Sequence, residues 1–452
     1  MHDIIASIST AVGVGAISII RVSGEGSIKV VDSIYRGKNK LTEVESHTIN
    51  YGHIVDKDEI IDEVLVSIMK SPKTFTTEDI VEINCHGGIA TTNKVLELLL
   101  LNGVRLAEPG EFTKRAFLNG RIDLIEAESI MDIINAKTDS SRKLSINQLD
   151  GKVSKLIKEF RKELLELIAN IEVNIDYPEY EDIEVMTIES IKKNMNNIEE
   201  KLKIIVKESE SGKIIRDGIK TVIVGRPNVG KSSILNKLLN YDKAIVTDIA
   251  GTTRDIVEGE INLDGVLLKL VDTAGIRETT DIVEKIGVDR SYKEIEDADL
   301  IIMVLNNNEV LTDYDKEIIN KIKDKNSIVV INKSDLEDKL DIKDIDNKNI
   351  IKINTIEDDK IDILKNKIKE LFNLEDIIKG DYTYLSNARQ ISLAKECLKI
   401  LEDVKIEIDR EDPVDLIEID IKRIWNILGE ITGDNYDNEL IDQLFSQFCL
   451  GK

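Results

Sequence analysis

The segment Gly225-Arg226-Pro227-Asn228-Val229-Gly230-Lys231-Ser232 has the spacing G-x-x-x-x-G-K-[ST] and directly follows the β-branched run Thr221-Val222-Ile223-Val224. That pattern commits the middle of the chain to a strand, a tight loop and a helix, since glycines so placed let backbone N–H groups converge on a phosphate. The run from Ser233 to Leu239 has the helical character the motif requires. Asn228, Val229, Gly230, Lys231, Ser232 and Ser233 are therefore predicted to hold a nucleoside triphosphate. Lys231 would supply a point charge to the β/γ oxygens, and Ser232 a hydroxyl for Mg²⁺.

Two further apolar runs end in polar residues suited to the same ligand. Leu267 to Val271 delivers Asp272-Thr273-Ala274-Gly275, with a carboxylate placed to hold Mg²⁺ through water and a backbone N–H near the γ-phosphate. Ser327 to Ile331 delivers Asn332-Lys333-Ser334-Asp335, which resembles the guanine-reading N-K-x-D. In that motif the aspartate accepts from the N1–H and N2 amine of the base, a donor pair adenine lacks, so the expected nucleotide is GTP. Thr247-Asp248-Ile249-Ala250-Gly251-Thr252-Thr253 reads as a first switch, with Thr253 as the second hydroxyl ligand of Mg²⁺. Asn228 places a side-chain carbonyl inside the phosphate loop, where it could coordinate a monovalent cation that neutralises developing charge; the alternative is a tolerated loop residue. Ile276 occupies the place where Ras-type enzymes carry a water-orienting Gln. Another group must act there, with Arg277, Glu278, Asp281 and Glu284 as candidates.

At 452 residues the chain is expected to divide into about three domains. A net charge of −25 repels a phosphate backbone over most of the surface, which argues against bulk RNA binding unless a basic partner holds the nucleic acid. Cys85, Cys397 and Cys449 are far apart and lack metal-ligand spacing, and four histidines further disfavour a transition-metal enzyme. With no signal-like N-terminus and no apolar run near the roughly 20 residues that span a bilayer, the expected location is the cytoplasm, away from membranes.

Residues 1–118 alternate short β-rich runs with turns and read as an α+β domain. Helical periodicity begins near residue 121. Val153, Leu156, Phe160, Leu164, Leu167 and Ile171 form one apolar stripe, and Ile188, Ile191, Met195, Ile198, Leu202 and Ile205 form another. The segment Ser211 to Gly218 is expected to mark the entry to the nucleotide unit. The helical pattern resumes after residue 378. This gives an α+β domain over 1–118, helical parts over 119–216 and 378–452, and an inserted α/β nucleotide unit over 217–377.

These motifs, together with Pro109-Gly110-Glu111-Phe112-Thr113-Lys114-Arg115-Ala116-Phe117-Leu118-Asn119-Gly120 and the ending Phe448-Cys449-Leu450-Gly451-Lys452, resemble the tRNA-modification GTPase family MnmE, also called TrmE, over essentially the whole length. The resemblance implies a multidomain homodimer: an α+β folate-binding and dimerising domain, an all-α domain, and an inserted Ras-like P-loop GTPase domain. It implies a flavoprotein partner, MnmG, assembled with it as a heterotetramer and presenting most of the tRNA. The joint product is an aminomethyl or carboxymethylaminomethyl group on C5 of the wobble uridine, its carbon donated by 5-formyl- or methylene-tetrahydrofolate. By position, Glu284 matches the water-orienting acid, and Asn228, Thr247, Ile249 and Thr252 match a K⁺ site. Arg21, Glu82, Arg121 and Lys452 match the folate-binding positions. Cys449 matches a tail cysteine considered for catalysis, although nothing in its sequence neighbourhood argues for a lowered pKa.

The chain departs from the family at Ser9-Thr10-Ala11-Val12-Gly13, which lacks a Pro-Pro-Gly-like turn, near Asn354-Thr355-Ile356, where the guanine-backing element is degenerate, and at Arg121, a lysine in some relatives. A different class of reading, a GTP switch in ribosome assembly, shares the nucleotide motifs but calls for a basic RNA-binding module that the composition does not supply.

Overall fold

The computed structural model describes residues 3–176, 188–241, 257–272, 293–355, 360–380, 383–436 and 438–451. The chain divides into two compact units, one of residues 1–134, 148–200 and 393–452, the other of residues 135–147 and 201–392.

The first unit contains a seven-stranded sheet in the order β3-β4-β5-β6-β2-β1-β7. Its strands are β1 (Ile5–Ile8), β2 (Ile17–Ser23), β3 (Tyr35–Gly37), β4 (Thr48–Asp56), β5 (Glu59–Met69), β6 (Ile80–His86) and β7 (Arg105–Leu106). All neighbours are antiparallel except β1 and β7. Side chains alternate across the pleat, so one face is apolar. Ile20, Val22, Val64, Val66, Ile68, Val81 and Ile83 pack there against helices α1 (Ser27–Ser33) and α2 (Ile89–Leu101).

Helices α3 (Glu111–Leu118), α4 (Leu124–Asn135), α6 (Lys152–Asp176), α13 (Val414–Thr432) and α14 (Asn438–Phe445) belong to the same unit. The stripe on α6 is buried at Val153, Phe160, Leu164, Leu167 and Ile171, while Leu156 is half-buried beside buried Ile157. Helix α6 meets α13, with the Arg161 guanidinium 4.3 Å from the Trp425 ring centroid and Lys422 paired to Glu172 at 2.6 Å. Segments on either side of the inserted nucleotide unit in sequence thus share one helical core. The stripe on α7 (Ile188–Asp217) is buried from Ile191 to Ile205.

The carboxyl-terminal tail packs within this first unit. Phe445, 1% exposed, lies with Phe448 and Ile441 against Ala116, Phe117, Ile122 and Leu124. The Gly110 N–H donates to the Cys449 carbonyl at 3.3 Å, and the Ser9 hydroxyl donates to the Gly451 carbonyl at 3.2 Å. Phe445→Ala is expected to cost about 3–5 kcal/mol, the range for emptying a buried aromatic site, read as a lower urea midpoint. An unchanged midpoint would show that the tail is not part of the cooperative core.

The second unit holds a six-stranded sheet in the order β13-β12-β11-β8-β10-β9. Its strands are β8 (Ile219–Val224), β9 (Val257–Leu263), β10 (Val266–Asp272), β11 (Leu300–Asn306), β12 (Ser327–Asn332) and β13 (Ile350–Lys352). All pairs are parallel except β9 with β10. Every residue of β11 and β12 is buried, which explains why they read as unbroken apolar runs instead of alternating ones. Helices α8 (Lys231–Tyr241), α9 (Asp313–Lys321) and α10 (Ile361–Leu371) belong to this unit.

Residues 211–217, which precede the first strand of the nucleotide unit at Ile219, are the last turns of α7, which runs unbroken to Asp217. At Gly212 a Cβ would lie 2.6 Å from the Leu385 carbonyl oxygen, so the glycine serves close packing. That packing overrides its helix penalty of about 1 kcal/mol.

Candidate functional site

Strand β8 is the sheet's switch point, with β10 on one side and β11 on the other, and the loop beyond its carboxyl end is where doubly wound sheets hold ligands. The residues leaving β8 are those of the phosphate-loop motif. Gly225, Asn228 and Gly230 have φ of 143°, 62° and 105°, a mixture of backbone conformations that curls successive N–H groups inward. Asn228 tolerates the left-handed conformation better than most residues, which gives it a backbone role independent of any cation. The Lys231 ammonium donates to the carbonyls of Gly225 and Arg226 at 2.7 and 2.8 Å, so it lies over the loop. Val229 is 1% exposed and anchors the loop in the core, whereas Ser232 and Ser233, at the start of α8, face solvent.

The loop after β12 is tied to the phosphate loop by side chains. The Asn332 amide donates to the Val229 carbonyl at 2.9 Å, and its carbonyl accepts from the Thr355 N–H at 3.3 Å. Lys333 donates to the Asn228 carbonyl at 3.0 Å. Asp335 is exposed beyond them, so its carboxylate is accessible to a base edge. Arg226 anchors the far side of the loop through ion pairs of 2.9 Å to Glu309 and to Asp315. Asp315 is fully buried and forms the capping box of α9 with Thr312. The sequence reading missed Arg226, which falls on a variable position of the motif.

Asp272 ends β10 on the strand adjacent to β8. Thr247, Asp248, Ile249, Ala250, Gly251, Thr252, Thr253, Thr273, Ala274, Gly275 and Glu284 lie outside the described residues, as does Lys452.

A second cluster forms in the first unit. The register of β2 and β6 sets Arg21 directly opposite Glu82, and Nε and Nη2 of Arg21 both donate to one Glu82 carboxylate oxygen, at 2.9 and 2.8 Å. The same guanidinium lies 5.5 Å from the Phe75 ring centroid and 5.6 Å from that of Phe112. Arg121 lies 4.9 Å from the Phe75 ring. Sequence-predicted Arg21, Glu82 and Arg121 are thus brought together around two aromatic rings the sequence reading did not single out as ligands. Phe112 is fully buried, so of the two rings only the partly exposed Phe75 is open to a ligand beside the Arg21–Glu82 pair.

Helix α3 is fixed in this unit by Arg115, 2% exposed, which pairs with Asp3 at 2.8 Å, Glu111 at 2.9 Å and Glu78 at 3.2 Å. Burial works against the Glu111 carboxylate, but hydrogen bonds from Arg105, the Glu108 N–H and Arg115 outweigh it and hold its pKa below the ordinary value.

Of the cysteines, Cys397 is buried and its thiol is pushed up to about 12 by burial and by nearby Glu396 and Glu430. Burial also raises Cys85. Cys449 is exposed. Among the described residues no group of three or more His, Cys, Asp or Glu side chains is arranged to hold a metal ion, and no helix is long and apolar enough to cross a membrane.

Comparison with known proteins covers both clusters. Residues 4–121 match the family described as GTP-binding protein TrmE N-terminus, and residues 124–449 match the MnmE helical domain. The chain is 54% identical to the tRNA modification GTPase MnmE of Lactococcus lactis subsp. cremoris (strain MG1363), over all of this chain and 98% of that protein. It is also 54% identical to the protein of that name from Bacillus cytotoxicus (strain DSM 22905 / CIP 110041 / 391-98 / NVH 391-98), over all of this chain and 99% of that one.

Proposed function

The chain belongs to the MnmE family of tRNA modification GTPases and is a GTP hydrolase acting in tRNA modification, and on that premise we propose that it couples GTP turnover to one-carbon chemistry at C5 of the wobble uridine. In this reading a 5-formyl- or methylene-tetrahydrofolate donates the carbon, and a flavoprotein of the MnmG kind shares the reaction and carries most of the tRNA contact. The working form is a homodimer in the cytoplasm. Full-length similarity to tRNA modification GTPases favours this over the ribosome-assembly switch.

In the nucleotide unit, backbone N–H groups of residues 228–233 receive the phosphates and Lys231 supplies positive charge to the β/γ oxygens. Ser232 and Thr253 offer hydroxyls to Mg²⁺, with Asp272 acting through water. Asp335 accepts from the guanine edge, while Asn332 holds the base loop to the phosphate loop. Asn228, Thr247, Ile249 and Thr252 would hold K⁺, which suits neutral oxygen donors and adds a positive charge where phosphate charge develops. Turnover in potassium is expected to exceed that in sodium by up to about 10²-fold, the scale of losing one charge-stabilising group. Equal rates in the two salts would remove Asn228 from that role.

The observation that carries the folate reading is the Arg21–Glu82 pair at 2.8 Å, with the Arg21 and Arg121 guanidinium groups both close to the Phe75 ring. The partly exposed Phe75 ring would stack on a pterin and Glu82 would accept from its amine and ring N–H. Arg121 and Lys452 would meet the glutamyl carboxylates. Mass analysis of tRNA from cells lacking this protein tests the whole reading. Wobble uridines without their C5 aminomethyl-type groups are expected; a full complement of those groups would refute it.

A further inference from the structure

We infer that Asn307, the first residue beyond β11, is a positioning residue for guanine recognition: its side-chain amide holds the loop that carries Asp335 and so sets the preference for guanine over adenine nucleotides. The inference rests on the reading of Asp335 as the acceptor for the guanine edge and deepens it.

The loop from Ser334 to Lys339 is exposed at every residue, while Asn332 before it and Leu340 after it are buried. A solvated stretch of that kind has little packing to fix it, so hydrogen bonds decide where Asp335 stands. Near its start the Ser334 N–H donates to the Ile353 carbonyl at 3.2 Å, and the Leu336 N–H to the Lys333 carbonyl at 3.0 Å. A further set converges on one residue.

Strands β11 and β12 run parallel, and their register ends with Asn306 opposite Asn332. Asn307 therefore leaves the sheet beside the loop, and it is fully buried. Its N–H donates to the Asn332 carbonyl at 3.0 Å, and its carbonyl accepts from the N–H groups of Lys339 and Leu340 at 3.0 and 3.2 Å. Those bonds tie the two ends of the loop, and any residue could make them through its backbone. The side chain reaches the middle. Both hydrogens of its amide are used there, with Nδ2 donating to the Leu336 carbonyl at 3.1 Å and to a carboxylate oxygen of Asp338 at 2.6 Å. The bond to Asp338 is the main cause that holds that carboxyl below its ordinary pKa, and Lys352 at 3.2 Å adds to it. Leu336 adjoins Asp335, so the tie acts one peptide unit from the base-reading carboxylate.

Turned over, the amide would set its oxygen against two acceptors, so its donor face is directed at the loop. The oxygen, Oδ1, is buried and meets no donor among the described residues. An unmet buried acceptor is unfavourable, and an apolar side chain of similar size would avoid it. What an apolar residue could not supply is the pair of donors to Leu336 and Asp338.

Asn307→Asp is nearly isosteric, yet it turns the donor into an acceptor and sets a carboxylate against Asp338. Every residue of β11 is buried, so the exposed loop is the part that yields. The test titrates the full-length protein with a fluorescent GDP analogue and measures ADP by competition. In Asn307→Asp, GDP is expected to bind at least about tenfold more weakly, the scale of one hydrogen bond to a charged group. ADP, held through the phosphate loop, should stay within about twofold of its wild-type affinity. Adding Asp338→Asn should bring GDP back to within about threefold of wild type, because the amide placed at 338 can donate to the carboxylate placed at 307. Should Asn307→Asp fail to fold, Asn307→Ala removes the same donors without adding charge and is expected to weaken GDP alone by about three- to tenfold. Equal losses for GDP and ADP would make Asn307 a residue of general stability and overturn the inference. Unchanged GDP affinity, or an exchange with Asp338 that restores nothing, would overturn it as well. Asp335→Ala separates the two claims: if that variant keeps the wild-type ratio of GDP to ADP affinity, the guanine reading of Asp335 falls, and this inference with it.

Discussion

Gly230→Ala is expected to abolish useful GTP binding. A Cβ at this position would lie 2.1 Å from the Asn332 side-chain nitrogen, and the residue sits at φ 105°. The left-handed backbone costs a non-glycine residue about 1–2 kcal/mol, and forcing extra volume into a packed site adds about 1–3 kcal/mol. Each 1.4 kcal/mol is about tenfold in affinity, so GTP should bind on the order of 10²-fold more weakly. The larger consequence is geometric. Relieving the clash displaces the Asn332 amide from the Val229 carbonyl and so uncouples the loop after β12 from the phosphate loop. Titration of the variant with a fluorescent GTP analogue reads the loss. Affinity within about threefold of wild type would mean that Asn332 moves aside freely and is no staple.

Glu284→Ala is expected to cut the hydrolysis rate by about 10²–10⁴-fold, the usual contribution of a positioned acid or base, while leaving GTP affinity close to wild type. The reason lies in Ile276: an apolar side chain stands where a water-orienting amide would be expected. In the proposed reading the task passes to a residue further along the same segment, Glu284, which matches the family's water-orienting position. Single-turnover hydrolysis measured beside equilibrium binding separates the two effects. Loss of binding in parallel with hydrolysis would make Glu284 a structural residue.

How much was legible in advance follows the physics of each element. Strands β8, β10 and β12 declared themselves because parallel strands covered on both faces are continuous apolar runs, and each leads into one of the nucleotide motifs. The stripes of α6 and α7 were equally plain, because burial at a 3.6-residue period leaves its mark on composition. The course of residues 211–217 was not, since a glycine reads as a break until Leu385 is known to press on it.

The Arg21–Glu82 pair was hidden for a related reason. Arg21 and Glu82 are 61 positions apart, and only the pairing of β2 with β6 makes them partners. Phe75 and Phe112 reach them from different segments. The chain has seven phenylalanines, and Phe75, Phe112, Phe117, Phe445 and Phe448 gather in two adjoining core clusters beneath Arg21 and the docked tail, where their burial leaves no sequence pattern that points to the ion pair. Arg226 was missed because its partner Asp315 is a helix-cap residue whose burial no local pattern announces.

Calorimetric titration of the full-length protein with GTP and with ATP, under identical Mg²⁺ and K⁺, tests the guanine-nucleotide claim most directly. The account predicts GTP binding at least about 10²-fold tighter than ATP, because in the proposed reading adenine leaves the Asp335 carboxylate without its donor pair. ATP bound as tightly as GTP, or more tightly, would contradict it.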